Sequence, residues 1–260
     1  MASALIGGLV AKGTDARSIA VVEVSPAARE RLAARYPVHI ATAPDAAMQR
    51  AEVLIVAVKP QDAKAALASI SGNLQGKLVV SIAAGITLAA LSRWLGGHRK
   101  LVRCMPNTPA LIGAGIAALY ALPEVNSREK KTAEGILAAV GEVVWVPEER
   151  LLDAVTAVSA SGPAYVFWFI EQLAASAEKL GLERETAMKL ALHTVLGAAK
   201  LAASSSEPPA NLRKNVTSKG GTTEAALRVF DEEKLAERFR RAVGAASRRA
   251  TELGEELGKD

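Results

Sequence analysis

The chain is poor in the residues that most often mark a site. Its 260 residues hold one cysteine, three histidines and only 4% aromatics. With Cys104 alone, an intrachain disulfide is excluded and a reducing compartment is the natural setting. His39, His98 and His193 lie far apart without metal-ligand spacing, and no Cys/His cluster suits zinc, so no metal is expected. No Gly-x-Ser-x-Gly run occurs, which argues against a hydrolase. No stretch of about 18 apolar residues is present, so no membrane-spanning helix is expected. The first nine residues lack the basic region of a signal peptide. Together these absences point to a cytoplasmic protein.

What is present is aliphatic. Half of the chain is hydrophobic, mostly Ala, Val, Leu and Ile, which suits helices and buried parallel strands. The net charge is +5. Much of the excess lies near the C-terminus, where Arg238, Arg240, Arg241, Arg248 and Arg249 alternate with Glu232, Glu233, Glu237, Glu252 and Glu255. That pattern reads as a solvated helix face with i,i+4 pairs. Without a nucleic-acid motif or an aromatic platform, nucleic acid is not expected as a partner. A mild positive balance also suits anionic cofactors and substrates.

The first 150 residues alternate strand-like and helix-like segments. Residues 19–23, 53–58, 77–82, 101–105 and 141–146 read as strands; 26–36, 61–70 and 87–95 read as helices. Such alternation implies a parallel sheet covered by helices, an α/β fold. Beyond Arg150 no strand is evident, and residues 161–180, 183–204, 222–231 and 235–257 read as helices. The boundary falls near 147–152, dividing 1–150 from an all-helical 151–260. Residues 165–170, Tyr165 to Ile170, are apolar nearly all round, so that helix is expected to be buried in a bundle core or against another subunit.

Several strand ends carry candidate chemistry. Ala57-Val58-Lys59-Pro60-Gln61 closes a buried strand, and ligands of open α/β sheets bind at such ends. Lys59 there either faces a cofactor cleft or only solvates the strand end. Residues 81–86 follow the next strand, where small side chains such as Ala83 and Ala84 allow a ribose or nicotinamide against the backbone, or simply pack. Arg103-Cys104-Met105-Pro106-Asn107-Thr108-Pro109 ends another; its prolines stiffen the loop and Asn107 offers a carboxamide to a ligand. Cys104, inside that strand, reads as a buried inert thiol rather than a nucleophile. The stretch Asn215-Val216-Thr217-Ser218-Lys219-Gly220-Gly221-Thr222-Thr223-Glu224 precedes a helix. Its paired glycines permit close backbone approach, and the helix start offers N–H groups to a carboxylate or phosphate.

Taken in order, these stretches, with Asp153 to Tyr165 and Leu196-Gly197-Ala198-Ala199-Lys200, resemble the pyrroline-5-carboxylate reductases over essentially the whole chain. The resemblance implies NAD(P)H-dependent reduction of 1-pyrroline-5-carboxylate to L-proline, the last step of proline biosynthesis. It implies a Rossmann-like doubly wound parallel sheet followed by an all-α dimerisation domain that interlocks with a second subunit. The partners are then the substrate and a second copy, in a homodimer or a higher oligomer built from dimers. It further implies that Ser25 holds an adenosine 2′-phosphate; that Ala57, Val58, Lys59 and Pro60 line the ribose and nicotinamide, with Ala83, Ala84 and Asn107 nearby; and that Asn215 touches the cofactor. Gly221, Thr222 and Thr223 would capture the substrate carboxylate. Thr223 would hydrogen-bond the ring nitrogen or donate its proton.

The sequence also departs from the family. Members open with a short strand and a Gly-rich phosphate loop, whereas Met1-Ala2-Ser3-Ala4 aligns with the end of that loop. With the first strand and the loop glycines missing, weaker cofactor affinity and lower stability are expected. Lys219 replaces a common proline, and Ala160 a common glycine. Glu23 suits an NAD ribose while Ser25 favours NADP, so both cofactors stay open, NADPH first. The competing readings are another Rossmann imine or hydroxyacid reductase, and a non-catalytic dimeric fragment. A hydroxyacid dehydrogenase would call for a lysine near 159–163, and none is there.

Overall fold

The computed structural model describes residues 1–72 and 74–259. The chain forms two compact units, residues 1–161 with 246–260, and residues 162–245.

In the first unit, β1 (Ala20–Val22) and β2 (His39–Ala41) pair in parallel as a two-stranded sheet. A separate five-stranded sheet has the order β3 (Val53–Val56), β4 (Leu78–Ser81), β5 (Leu101–Met105), β6 (Gly115–Ala121) and β7 (Gly141–Trp145). All its neighbours are parallel except β5 and β6. The strands at 19–23, 53–58, 77–82, 101–105 and 141–146 thus form where expected, all but 101–105 shortened at one or both ends. β6 was not anticipated, and its direction has a local cause. The link from β5 is one short 3-10 turn, Thr108–Ile112, rather than a crossover helix, so the chain returns antiparallel.

Helices α1 (Ala2–Ala11), α2 (Pro26–Ala33), α3 (Ala46–Arg50), α4 (Ala63–Ala68), α5 (Leu88–Trp94), α6 (Ser127–Leu137) and α7 (Leu151–Val155) complete most of this unit. Alternation along β4 divides the core. Leu78 and Val80 join Leu5 of α1 and Leu137 of α6 on one face, while Val79 joins Leu67 of α4 and Leu91 of α5 on the other. α1 packs so closely that a Cβ on Gly8 would come 2.5 Å from the Ala139 carbonyl oxygen. The start of α6 carries a capping box in which Asn126 and Glu129 accept each other's backbone N–H.

By packing, the division between units falls after Ser161 rather than near 150. Leu152 of α7 and Ala157 of the following π-helical turn, Thr156–Ala160, are buried in the first unit.

The second unit holds α8 (Gly162–Lys179), α9 (Arg184–Ser204), α10 (Pro209–Asn215), α11 (Thr222–Glu232) and the start of α12 (Leu235–Leu257). α8 and α9 form a hairpin joined by a short turn at Gly181. Tyr165 and Phe239 meet edge to face at 5.9 Å. The apolar stretch 165–170 does not enter a core of this unit: Phe167 and Trp168 are 59% and 57% exposed. Of the two burials expected for it, the one within the bundle is therefore not found in the single chain. The alternating charges of α12 pair on its surface, as where Arg249 meets Glu252 and Glu256.

Candidate active site

Strands β3, β4 and β5 run parallel with Val56, Ser81 and Arg103 in register, so their following loops leave from one edge of the sheet. Ala57, Val58 and Lys59 lead out of β3 into a 3-10 turn, Pro60–Asp62, for which Pro60 is preset at a position needing no N–H. The Lys59 side chain is exposed and, among the described residues, has no hydrogen-bond or ion-pair partner. After β4, Ala83 donates its N–H to Ser81 Oγ at 3.3 Å and is 2% exposed. Its methyl is a packing group, which leaves its backbone and the half-buried Ala84 to face a ligand.

Asn107 follows β5 and is also buried. Its Nδ2 donates to the Ser159 carbonyl at 3.1 Å, and its Oδ1 accepts the Ile116 N–H at 3.0 Å. The carboxamide therefore ties the β5–β6 loop to the π-helical turn, a feature that often accompanies function. Cys104 is 1% exposed, and burial pushes its thiol pKa up, so it stays protonated and unreactive.

Ser25 stands at the carboxyl end of β1, where it caps α2 by accepting the Ala28 N–H. Glu23 Oε1 accepts the Ser25 N–H at 2.8 Å. Sequence reasoning missed Arg29, whose Nη1 donates to the Glu23 and Val24 carbonyls at 3.0 and 2.9 Å. This holds a guanidinium beside Ser25. Only its place one turn into a helix that follows a strand and a serine cap could have signalled it.

The remaining expected residues lie in the second unit. Asn215 ends α10, with its Nδ2 at 3.4 Å from Glu207 Oε2. Gly220 adopts φ +73°, open only to glycine at little cost, and donates its N–H to Glu224 Oε2 at 2.7 Å. A Cβ on Gly221 would come 2.4 Å from Ser218 Oγ. Thr222 and Thr223 open α11, and no side chain caps that end, which leaves its first N–H groups for a ligand or water. Ala57 to Pro60, Ala83, Ala84 and Asn107 are thus brought to one sheet edge, Ser25 to the end of β1, and Asn215 with Gly221, Thr222 and Thr223 to one loop. Among the described residues, no group of three or more His, Cys, Asp or Glu side chains is placed to hold a metal ion, and no helix is long and apolar enough to cross a membrane.

Comparison with known proteins decides what this arrangement belongs to. Residues 149–253 match the family described as pyrroline-5-carboxylate reductase dimerisation, and residues 1–85 match NADP oxidoreductase coenzyme F420-dependent. The pyrroline-5-carboxylate reductase of Pseudomonas aeruginosa is 44% identical over all of this chain and 95% of its own length. The chain belongs to the pyrroline-5-carboxylate reductase family. A solved reductase of this family from Coxiella burnetii superposes with a TM-score of 0.92 at 39% identity, over 97% of this chain and 94% of that one. The Plasmodium falciparum pyrroline carboxylate reductase, solved with NADP bound, gives 0.85 at 29% identity over the same shares. The fold is the family's Rossmann-like α/β domain followed by its helical dimerisation domain.

Proposed function

We propose that this protein reduces 1-pyrroline-5-carboxylate to L-proline with NADPH, as a cytoplasmic homodimer or an assembly of dimers. One observation carries the reading: 44% identity to the Pseudomonas aeruginosa pyrroline-5-carboxylate reductase over the whole chain. The uncapped start of α11 after the glycine loop agrees with it as a place for a carboxylate. In domain terms, 1–150 binds the cofactor, while 151–260 dimerises and binds substrate.

The residues present fit a dinucleotide. Ser25 and Arg29 offer a hydroxyl and a cation to an adenosine 2′-phosphate. Ala57, Val58, Lys59 and Pro60 line the ribose and nicotinamide side with Ala83 and Ala84; Asn107 braces the adjoining loop, and Asn215 is a further contact to the cofactor. Bound NADPH supplies the hydride.

The protein's share of the chemistry is placement. A protonated cyclic imine is already electrophilic, so catalysis needs orientation and exclusion of water more than a strong acid. The N–H groups of Thr222 and Thr223, with Gly221 permitting close approach, anchor the substrate carboxylate and select the face that is attacked. The Thr223 hydroxyl oxygen accepts the N–H of the protonated ring nitrogen and so fixes the ring beside the cofactor.

The test is NADPH oxidation, followed by absorbance, with 1-pyrroline-5-carboxylate. Turnover that yields proline is expected; a folded protein without turnover overturns the reading. Thr223→Val is expected to lower kcat. If both kcat and KM stay at the unaltered values, Thr223 has no catalytic role.

A further inference from the structure

Arg103 is a charged residue inside β5, and it is 5% exposed. A guanidinium so placed needs partners, because removing a charge from water is costly. It has two. Nη1 lies 3.1 Å from Glu149 Oε1, and Nη2 lies 3.4 Å from Asp153 Oδ1. Both acids reach further. The same Glu149 oxygen accepts the Leu88 N–H at 2.7 Å, at the first residue of α5. Asp153 Oδ2 accepts from the Thr251 hydroxyl at 3.0 Å, in the part of α12 that packs with the first unit. One hydrogen-bonded cluster thereby joins β5, the start of α5 just after the loop 82–87, α7 and the end of α12.

A second contact holds the same loop. Gly85 has φ +78°. A Cβ on Gly254 of α12 would come 3.0 Å from the Gly85 carbonyl oxygen, tighter than ordinary contact. Arg93 Nη2 donates to the Gly258 carbonyl at 2.8 Å and fastens the chain end to α5. A cavity of about 300 Å³ remains among these groups, with Thr87, Arg103, Asp153, Thr251 and Gly254 in its wall. The loop 82–87 is therefore gripped at its far end through Glu149 and at its bend by α12.

We propose that Arg103 is a positioning residue for the reductase: through Glu149 and the Leu88 N–H it sets the loop 82–87, and so Ala83 and Ala84, in the conformation that receives the nicotinamide half of the cofactor. This rests on the reductase reading above. The cluster lies in the first unit, next to the loop assigned to the cofactor, so its effect is expected on cofactor binding. Burying an ion pair is poor value as a source of stability, since apolar replacements often do as well. Holding a loop in one place is a task that directional, charge-assisted hydrogen bonds do perform.

The test compares Arg103→Met, Glu149→Ala and Glu149→Gln with the unaltered protein. NADPH affinity is read by fluorescence titration, and KM for 1-pyrroline-5-carboxylate by turnover. Arg103→Met and Glu149→Ala are each expected to weaken NADPH binding about tenfold or more, as for loss of a hydrogen bond to a charged group. The substrate KM is expected to stay within about twofold. Glu149→Gln keeps an oxygen for the Leu88 N–H and is expected to recover most of the affinity. NADPH binding by folded Arg103→Met equal to that of the unaltered protein overturns the proposal. So does a Glu149→Gln protein as weak as Glu149→Ala, or equal losses for cofactor and substrate. If Arg103→Met does not fold, the Glu149 pair decides alone. Unaltered protein that binds NADPH without reducing the imine sinks the reductase reading, while the titrations still decide the role of Arg103. Unaltered protein that binds no NADPH overturns both.

Discussion

The two units of this chain bury their hydrophobic residues to very different degrees. In the first, Leu88, Leu91, Val102, Leu119 and Leu137 are almost wholly removed from water on the two faces of one sheet. In the second, residues 162–245, the buried hydrophobic residues are Ala174, Ala187 and Ala191. Large apolar side chains remain exposed there, Val166, Phe167, Trp168, Phe169 and Phe239 by 44–59%. Alanines alone supply little of the apolar area that offsets chain entropy. The first unit is thus a domain with its own core, whereas the second is built to have its core completed. Its match to the family's dimerisation domain agrees with that division of labour.

The largest effect that would break this contrast is expected from Trp168→Glu. If a second copy covers Trp168, the substitution forfeits about 1.5–3 kcal/mol of burial per side chain and adds a charge to an apolar contact. Dissociation with loss of activity is expected, checked by light scattering and assay. An unchanged dimer would place the interface elsewhere. Leu91→Ala should do the reverse, costing about 2–5 kcal/mol of stability while leaving subunit association unmoved. A denaturation midpoint that stays put would show that the first unit's core is less tightly packed than described. Gly221→Ala should affect neither core. The Ser218 hydroxyl can turn away, but its backbone carbonyl oxygen, 3.0 Å from such a Cβ, must give, and the resulting loop shift is expected to cut kcat/KM by up to about a hundredfold, with the melting temperature nearly constant. The smallest effect belongs to Arg249→Ala. Its carboxylate partners are exposed, and the melting temperature and association should both match the unaltered protein.

Legibility from sequence follows the same contrast. β4 and β5 could be read because apolar β-branched runs buried on both faces look like little else. β6 could not, because Gly115–Ala121 is mostly alanine and glycine, and its pairing with β5 rather than its propensity makes it a strand. α1 was hidden by Gly7 and Gly8, which weaken a helical reading but allow the helix to approach Ala139. At the site, the loop 215–224 was legible because its glycines have a backbone reason. Arg103 was not, because its meaning depends on Glu149 and Asp153, far along the chain. Asn107 was recognised as important, yet its carboxamide is engaged within the protein, a fact that only the packed Ser159 and Ile116 reveal.

The most direct test of the account is the molar mass of the folded protein in solution, measured by light scattering over a wide dilution range alongside NADPH-dependent turnover. Twice the chain mass or a higher even multiple is predicted, with activity lost wherever dilution yields single chains. A folded, active single chain would contradict the claim that the helical unit has its core completed by a second copy.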